Sequence, residues 1–355
     1  MFEVVQAARV LGISSISFLV ALLITPGVVG LLYKFHFNKQ IRSKESAPVF
    51  YELHKKKENT PTMGGVVIWL TVLGLAAFFF VMSLFFDTAP AGGQGFWGHL
   101  NFVDRAQTYL PLAAMLVAAL LGLIDDLMGV FRIGTNGGGL KVSQKLIVYA
   151  LLAVIGGLWF YYRLEWSTLY IPFWGNLEVG WWYVPIFMFI IIASAFSANE
   201  TDGLDGLLGG VSLFAFGALT VVAYVLQRYD LAAFSGATVG ALLAFLWFNI
   251  YPARFFMGDT GSMALGITMG VIAMLTDTTL FLPFFALIMV IESLSVIIQM
   301  ISKKFFGKKI FISTPIHHHF EAIGWPETKV TMRFWIISAV FTTLGLALFF
   351  IARFS

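Results

Sequence analysis

The chain is a series of long apolar runs separated by short polar segments. Ten runs approach the roughly 17–25 residues that a helix needs to cross a bilayer. They lie near 8–33, 63–86, 108–124, 143–163, 183–199, 207–226, 232–251, 263–276, 280–301 and 332–352, the third, fifth and eighth being short. The segment 164–182 differs: it is rich in aromatic and β-branched residues with Gly175-Asn176 at its middle. That pattern predicts a short β-hairpin on a membrane surface, followed by an interfacial belt of Trp181, Trp182 and Tyr183. The expected fold is an all-α polytopic membrane protein of about ten transmembrane helices, a single membrane domain over 1–355. No internal repeat and no soluble domain is evident. The first run is too long for the core of a removable signal and lacks a basic flank.

Composition supports this reading. Of 355 residues, 59% are hydrophobic and only 12% charged, about half the charged fraction of a soluble domain. There is no cysteine, which excludes disulfides, thiolate metal sites and cysteine nucleophiles. Of 22 Lys and Arg, sixteen fall in the loops 34–62, 125–145, 252–262 and 302–331, and two, Arg105 and Arg228, in the loops of the opposite face. The excess of Lys and Arg marks the cytoplasmic side. Both termini are therefore expected to be periplasmic, with the hairpin.

Six carboxylates cluster on the basic face: Asp125, Asp126, Glu200, Asp202, Asp205 and Asp259. A charged group at a bilayer centre costs roughly 2.5–3.5 kcal/mol on insertion scales, so several on one side suggest a metal ion, a proton transfer, or both. Asp125 and Asp126 point about 100° apart on a helix and need not share a ligand. They also suit a plain polar helix end. If helical, Asn199, Asp202 and Asp205 share one face, with Gly203 and Gly206 allowing close approach. Asp259, between glycines and before Thr260 and Ser262, suits a Mg²⁺ ligand at a helix N-terminus, a position that also favours phosphate, or a simple N-cap. His317, His318 and His319 lack zinc spacing and read better as phosphate donors. The segment Gly134–Ser143 fails the Walker spacing and reads as a glycine-rich loop. Glu292, Ser295 and Gln299 share a face of the ninth run, a functional or an interhelical hydrogen-bonding arrangement.

Five segments in this order resemble the polyprenyl-phosphate N-acetylhexosamine-1-phosphate transferase superfamily: Thr60–Gly65, Asp125-Asp126, Asn199–Gly206, Asn249–Gly266 and Pro315–Glu321. The histidine loop points to its muramoyl-pentapeptide branch. The resemblance implies Mg²⁺-dependent transfer of a phospho-sugar from UDP-MurNAc-pentapeptide to undecaprenyl phosphate, releasing UMP and lipid I, at the cytoplasmic face of the bacterial inner membrane. It makes Asp259 the metal ligand and Asp125 the base or orienter of the lipid phosphate, with Asp126 its partner. Asn199, Asp202 and Asp205 become nucleoside-side and sugar-side contacts, and Phe256 a stacking platform for uracil. Lys145 would hold phosphate, His318 and His319 would lie near the donor, and Thr62 would line the cleft. Direct displacement and a phospho-enzyme route both fit. Membrane lipid and a second copy of the chain are the other implied partners, and nucleic acid is not one. This chain departs from the family at Gly129, usually lysine, at the run Asn136–Gly139, usually basic, and at Glu200-Thr201, usually Leu-Thr.

Two other functions remain open at this stage. A GlcNAc-1-phosphate transferase of the same superfamily would differ in its donor. An ion-coupled transporter would use Glu292 and the carboxylates as a relay, although carboxylates gathered at one interface rather than at mid-membrane count against it.

Overall fold

The computed structural model describes residues 1–38, 57, 59–87, 95–104, 107–134 and 138–354. Most of the basic loop 34–62, Arg105 and the Asn136-Gly137 pair of the glycine-rich loop lie outside these residues. Among the described residues ten long helices follow in order: α1 Phe2–Lys34, α2 Val66–Phe86, α3 Tyr109–Val130, α4 Val142–Arg163, α5 Tyr183–Thr201, α6 Leu207–Val225, α7 Tyr229–Asn249, α8 Asp259–Leu275, α9 Leu287–Phe306 and α10 Glu327–Phe354. Eight are long and apolar enough to cross a membrane. The other two are α8, only 17 residues long, and α9, which carries Glu292 and ends on Lys303 and Lys304.

The helix ends differ from expectation at the places that matter. The third run continues to Val130, so Asp125 and Asp126 sit inside α3 and are buried rather than marking its wet end. The eighth begins at Asp259 itself. The fifth stops at Thr201, with Asp202 as its C-cap and Gly206 left-handed at φ 74°. Asn199, Asp202 and Asp205 therefore do not share one helical face.

Helices α7 and α8 form the centre, and nearly every residue of α8 is buried. Both are rich in Gly, Ala, Ser and Thr, which lets backbones approach closely where lipid supplies no hydrophobic drive. Helix α7 packs on α1, α6 and α2, and α8 on α3 and α5. A Cβ at Gly240 of α7 would lie 2.9 Å from the Ser14 carbonyl carbon of α1.

The hairpin pairs β1 Thr168–Ile171 with β2 Gly175–Glu178, Leu169 opposite Leu177 and Ile171 opposite Gly175. Gly175-Asn176 opens the second strand, while Pro172-Phe173-Trp174 makes the turn with Phe173 at φ 66°. Tyr170 fixes the hairpin to the bundle: its N–H donates to Asp277 Oδ1 (3.0 Å) at the end of α8, and its hydroxyl donates to the Ala352 carbonyl in α10. At this same end, buried Arg9 of α1 pairs with Asp230 Oδ1 at 2.5 Å and donates to the Asn101 carbonyl at 2.8 Å. The N-terminal part of α1 and the C-terminal part of α10 thus share one end of the bundle, as an even number of crossings requires.

Overpacking a close helix contact typically destabilises by 1–3 kcal/mol. Gly240→Leu should therefore lower the melting temperature in detergent by several degrees. Gly217→Leu, where an added Cβ meets nothing within 4 Å, should leave it nearly unchanged. Equal shifts would mean that the α1–α7 contact does not limit stability.

Candidate active site

The polar cluster lies at the opposite end, where α3, α4, α5 and α8 converge. Lys145, in the first turn of α4, places its ammonium 2.7 Å from Asp125 Oδ2 and 2.7 Å from Asp259 Oδ2. Asp125 Oδ1 accepts the Leu140 N–H at 2.5 Å. The Asn199 side-chain amide donates to Asp259 Oδ1 and lies 3.3 Å from the Ser262 hydroxyl. Two carboxylates, an amide and an ammonium thus meet from four helices.

Asp126 points elsewhere, as adjacent helical positions must. Its Oδ2 accepts the Thr260 N–H at 3.0 Å, satisfying one of the unpaired donors of α8's first turn and placing an anion at the positive end of the helix dipole. The approach of α3 to α8 depends on Gly122, where a Cβ would lie 2.6 Å from the Thr260 Cα. Gly258, at φ 75°, has a left-handed backbone that L side chains rarely adopt. A Cβ there would meet Asp126 Oδ2 at 2.6 Å and the buried Thr62 hydroxyl at 2.8 Å. The Thr62 hydroxyl thus lies beside Gly258 and Asp126.

Asp202 accepts the Gly258 N–H at 3.1 Å and so joins the α5–α6 turn to the loop before α8. Asp205 belongs to a separate limb. Its Oδ1 lies 2.6 Å from Lys57 Nζ, its Oδ2 accepts the Ala253 N–H at 3.0 Å, and its own N–H donates to Glu327 Oε1 at 2.7 Å. Lys57 also reaches Glu327 at 2.6 Å and lies 5.7 Å from the centre of the Phe256 ring. Phe255 is fully buried against Phe245, while Phe256 is only half-buried. Main-chain bonds hold the Phe256 loop: Phe256 N–H to the Pro61 carbonyl, Gly64 N–H to the Phe256 carbonyl and Gly65 N–H to the Met257 carbonyl, each 2.8 Å.

The histidines lie on a short helix, Ile316–Ala322. His318 Nδ1 is 2.7 Å from Glu321 Oε2, and His319 Nδ1 accepts the Ile312 N–H at 3.3 Å. The histidine that meets the carboxylate loops is His317. Fully buried, it packs on Gly203, and its Nδ1 lies 3.0 Å from Glu292 Oε2. Burial alone would lower its pKa, but the Glu292 carboxylate outweighs this and raises it above the ordinary 6.5.

Lys57, Glu327 and Tyr149 were not singled out by sequence, and His317, read there as a phosphate donor, is instead buried against Glu292. Tyr149 follows Lys145 by one helical turn. It is 1% exposed, in electrostatic range of Asp259, Lys145 and Asp125, and its hydroxyl has no hydrogen-bond partner among the described residues. The i, i+4 spacing from Lys145 was its only available signal. Among the described residues, no three His, Asp or Glu side chains form a ready metal cluster.

A histidine whose pKa is raised on folding contributes stability that is complete below its unfolded value and is lost as pH rises through the folded value. The melting-temperature advantage of wild type over Glu292→Gln should therefore shrink as pH rises above 6.5. A gap that stays constant with pH would remove the charge pair from His317.

Residues 108–277 match glycosyl transferase family 4. Residues 57–68, the Lys57–Gly65 segment just described and the start of α2, match signature 1 of the phospho-N-acetylmuramoyl-pentapeptide-transferases. The enzyme of that name from Geobacillus thermodenitrificans (strain NG80-2) is 38% identical over 336 residues, covering 94% of this chain and 95% of its own. Those from Desulforudis audaxviator (strain MP104C) and Bacillus subtilis (strain 168) are each 37% identical, covering 95% and 93% of this chain and 97% and 94% of their own. With similarity of this degree along almost the whole sequence, the chain belongs to the phospho-N-acetylmuramoyl-pentapeptide-transferase family.

Proposed function

We propose that this protein transfers phospho-MurNAc-pentapeptide from UDP-MurNAc-pentapeptide to undecaprenyl phosphate, giving lipid I and UMP at the cytoplasmic face of the inner membrane. The observation that carries this reading is the convergence of Asp125 and Asp259 on Lys145, with Asn199 donating to Asp259, at the basic end of an apolar bundle. A water-soluble diphosphate donor and a lipid phosphate acceptor meet only at such an interface.

In the reaction an acceptor phosphate oxygen bonds to the β-phosphorus of the donor, and the bond from that phosphorus to the bridging oxygen of UMP breaks. Lys145 supplies a fixed positive charge for the phosphates, and Asp125 holds it in place. The acceptor's second phosphate pKa is near 6, so at neutral pH it is mostly deprotonated and Asp125 acts chiefly as an orienting anion. Asp126 keeps the first turn of α8 in register with α3. Asn199 sets the rotamer of Asp259. Phe256 offers a half-exposed ring for uracil, Asp202 and Asp205 order the turn beneath the nucleoside and sugar, and Thr62 lines the cleft. His318 and His319 stand on the donor side, with His318 oriented by Glu321.

Mg²⁺ fits this donor set. Asp259, with Asp125, brings carboxylate oxygens to a point already shared by a cation, and Mg²⁺ is usually held by one or two carboxylates together with substrate phosphates. When bound, it neutralises the diphosphate and the leaving nucleotide.

The test is UMP release by purified protein with undecaprenyl phosphate, Mg²⁺ and either UDP-MurNAc-pentapeptide or UDP-GlcNAc. Turnover with the first donor alone is expected. Turnover with UDP-GlcNAc would move the specificity to the sister branch, and none with either donor would remove the proposal. Asp259→Asn should abolish Mg²⁺-dependent turnover, and activity within about tenfold of wild type would take Asp259 out of the metal site; removal of an electrostatic group at such a centre commonly costs about 10²–10³ in rate. Phe256→Ala should weaken UMP binding by roughly 1–3 kcal/mol, measured by calorimetry. Unchanged affinity would return the ring to a packing role.

A further inference from the structure

At the end of the bundle opposite the carboxylates, a cavity of about 540 Å³ opens between the hairpin, the α6–α7 turn and the ends of α8 and α10. Two guanidiniums, Arg228 and Arg353, line it. Arg353 lies 4.4 Å from the centre of the Tyr170 ring. Tyr170 is anchored twice, its N–H by Asp277 and its ring hydroxyl by the Ala352 carbonyl. Arg353 makes no hydrogen bond or ion pair among the described residues. Arg228 sits 5.8 Å from the Trp166 ring centre and donates one N–H, through Nη1, to the Leu275 carbonyl at 2.5 Å.

Asp277 and Glu165 also line the cavity, yet among the described residues neither forms an ion pair with either arginine. Asp277 Oδ1 accepts the Tyr170 N–H, and its carboxylate acts on both arginines only at longer range. Burial pulls the Arg228 pKa down, Asp277 acts against this, and the like charge of Arg353 adds to it. An anion between the two arginines would relieve both the burial and the repulsion. A guanidinium with free planar donors matches phosphate geometry better than any other side chain.

The surroundings set the depth of the cavity. Trp159, Tyr162, Phe173, Trp174, Trp181 and Trp182 are all exposed around this corner, and such a belt marks the headgroup layer of a bilayer. We propose that Arg228 and Arg353 form a phosphate-binding site at this membrane surface, taking the headgroup phosphate of an anionic lipid or free phosphate. The site is remote from the transferase centre, and only its assignment to the outer leaflet rests on the orientation proposed above.

The test compares wild type with Arg228→Gln/Arg353→Gln, and with Arg353→Gln alone should the double variant fail to fold. One arm measures phosphatidylglycerol retained by the detergent-solubilised protein in native mass spectrometry. The other measures thermal protection by inorganic phosphate. Retention of phosphatidylglycerol by wild type, weakened about tenfold or more in the variant, supports the site with lipid as its source. Phosphate protection confined to wild type, with equal lipid retention, supports the site with the free anion as its source. Equal behaviour of wild type and variant in both arms overturns it.

Discussion

The Lys145 ammonium between Asp125 and Asp259 holds together the end of the molecule where the polar groups meet. Without that cation, two carboxylates from α3 and α8 would face each other in a partly enclosed, poorly solvated space. With it, α3, α4 and α8 share one ionic contact, and α5 joins through Asn199. Breaking a buried pair by removing one partner leaves an uncompensated charge, which typically costs about 3–5 kcal/mol. The charged end is therefore both a structural joint and the part of the molecule best suited to bind anionic substrates. The Asp126 bond to Thr260 and the contact of Gly258 with Thr62 extend the joint outward.

The bundle was legible in the sequence because a bilayer demands long apolar runs and alternation of the basic loops. The acidic segments were legible because charge is scarce in such a chain. Their partners were not. Asp125 and Asp126 looked like a helix end and lie inside the helix, because the closeness of α8 provides partners that no local pattern reveals. Asp202 and Asp205 looked like one face and serve two different contacts, because the helix stops at Thr201, before either of them. Lys57 and Glu327 are 270 residues apart and meet directly beside Asp205. The hairpin was visible in its composition, but its turn fell on Pro172-Phe173-Trp174 once Tyr170 had fixed the register from outside.

Polar chemistry is segregated to the two ends of the bundle. Arg9 and Asp230 pair at one end, Lys145 and its carboxylates at the other. Between them α7 and α8 are sealed by small side chains in close backbone contact. Glu292 and His317 are the buried exception: they tie the histidine helix to α9 and, through Gly203, to the turn that carries Asp202. Movement of the histidine helix would therefore be felt at the turn beside Asp259 through packing alone.

The main-chain bonds between Pro61–Gly65 and Phe256-Met257 decide which substitutions this loop can take. The frame that positions the Phe256 ring is built from main-chain N–H and C=O groups, in which the side chains at 62 and 256 take no part. Side chains at positions 62 and 256 can therefore be exchanged while the frame stays closed. A substitution at either position would change the surface of a platform whose geometry the peptide groups hold, whereas the joint of Lys145 with Asp125 and Asp259 is made by side chains. Tolerance and intolerance of substitution thus sit at neighbouring residues, set by nothing more than which atoms, backbone or side chain, bear the geometry.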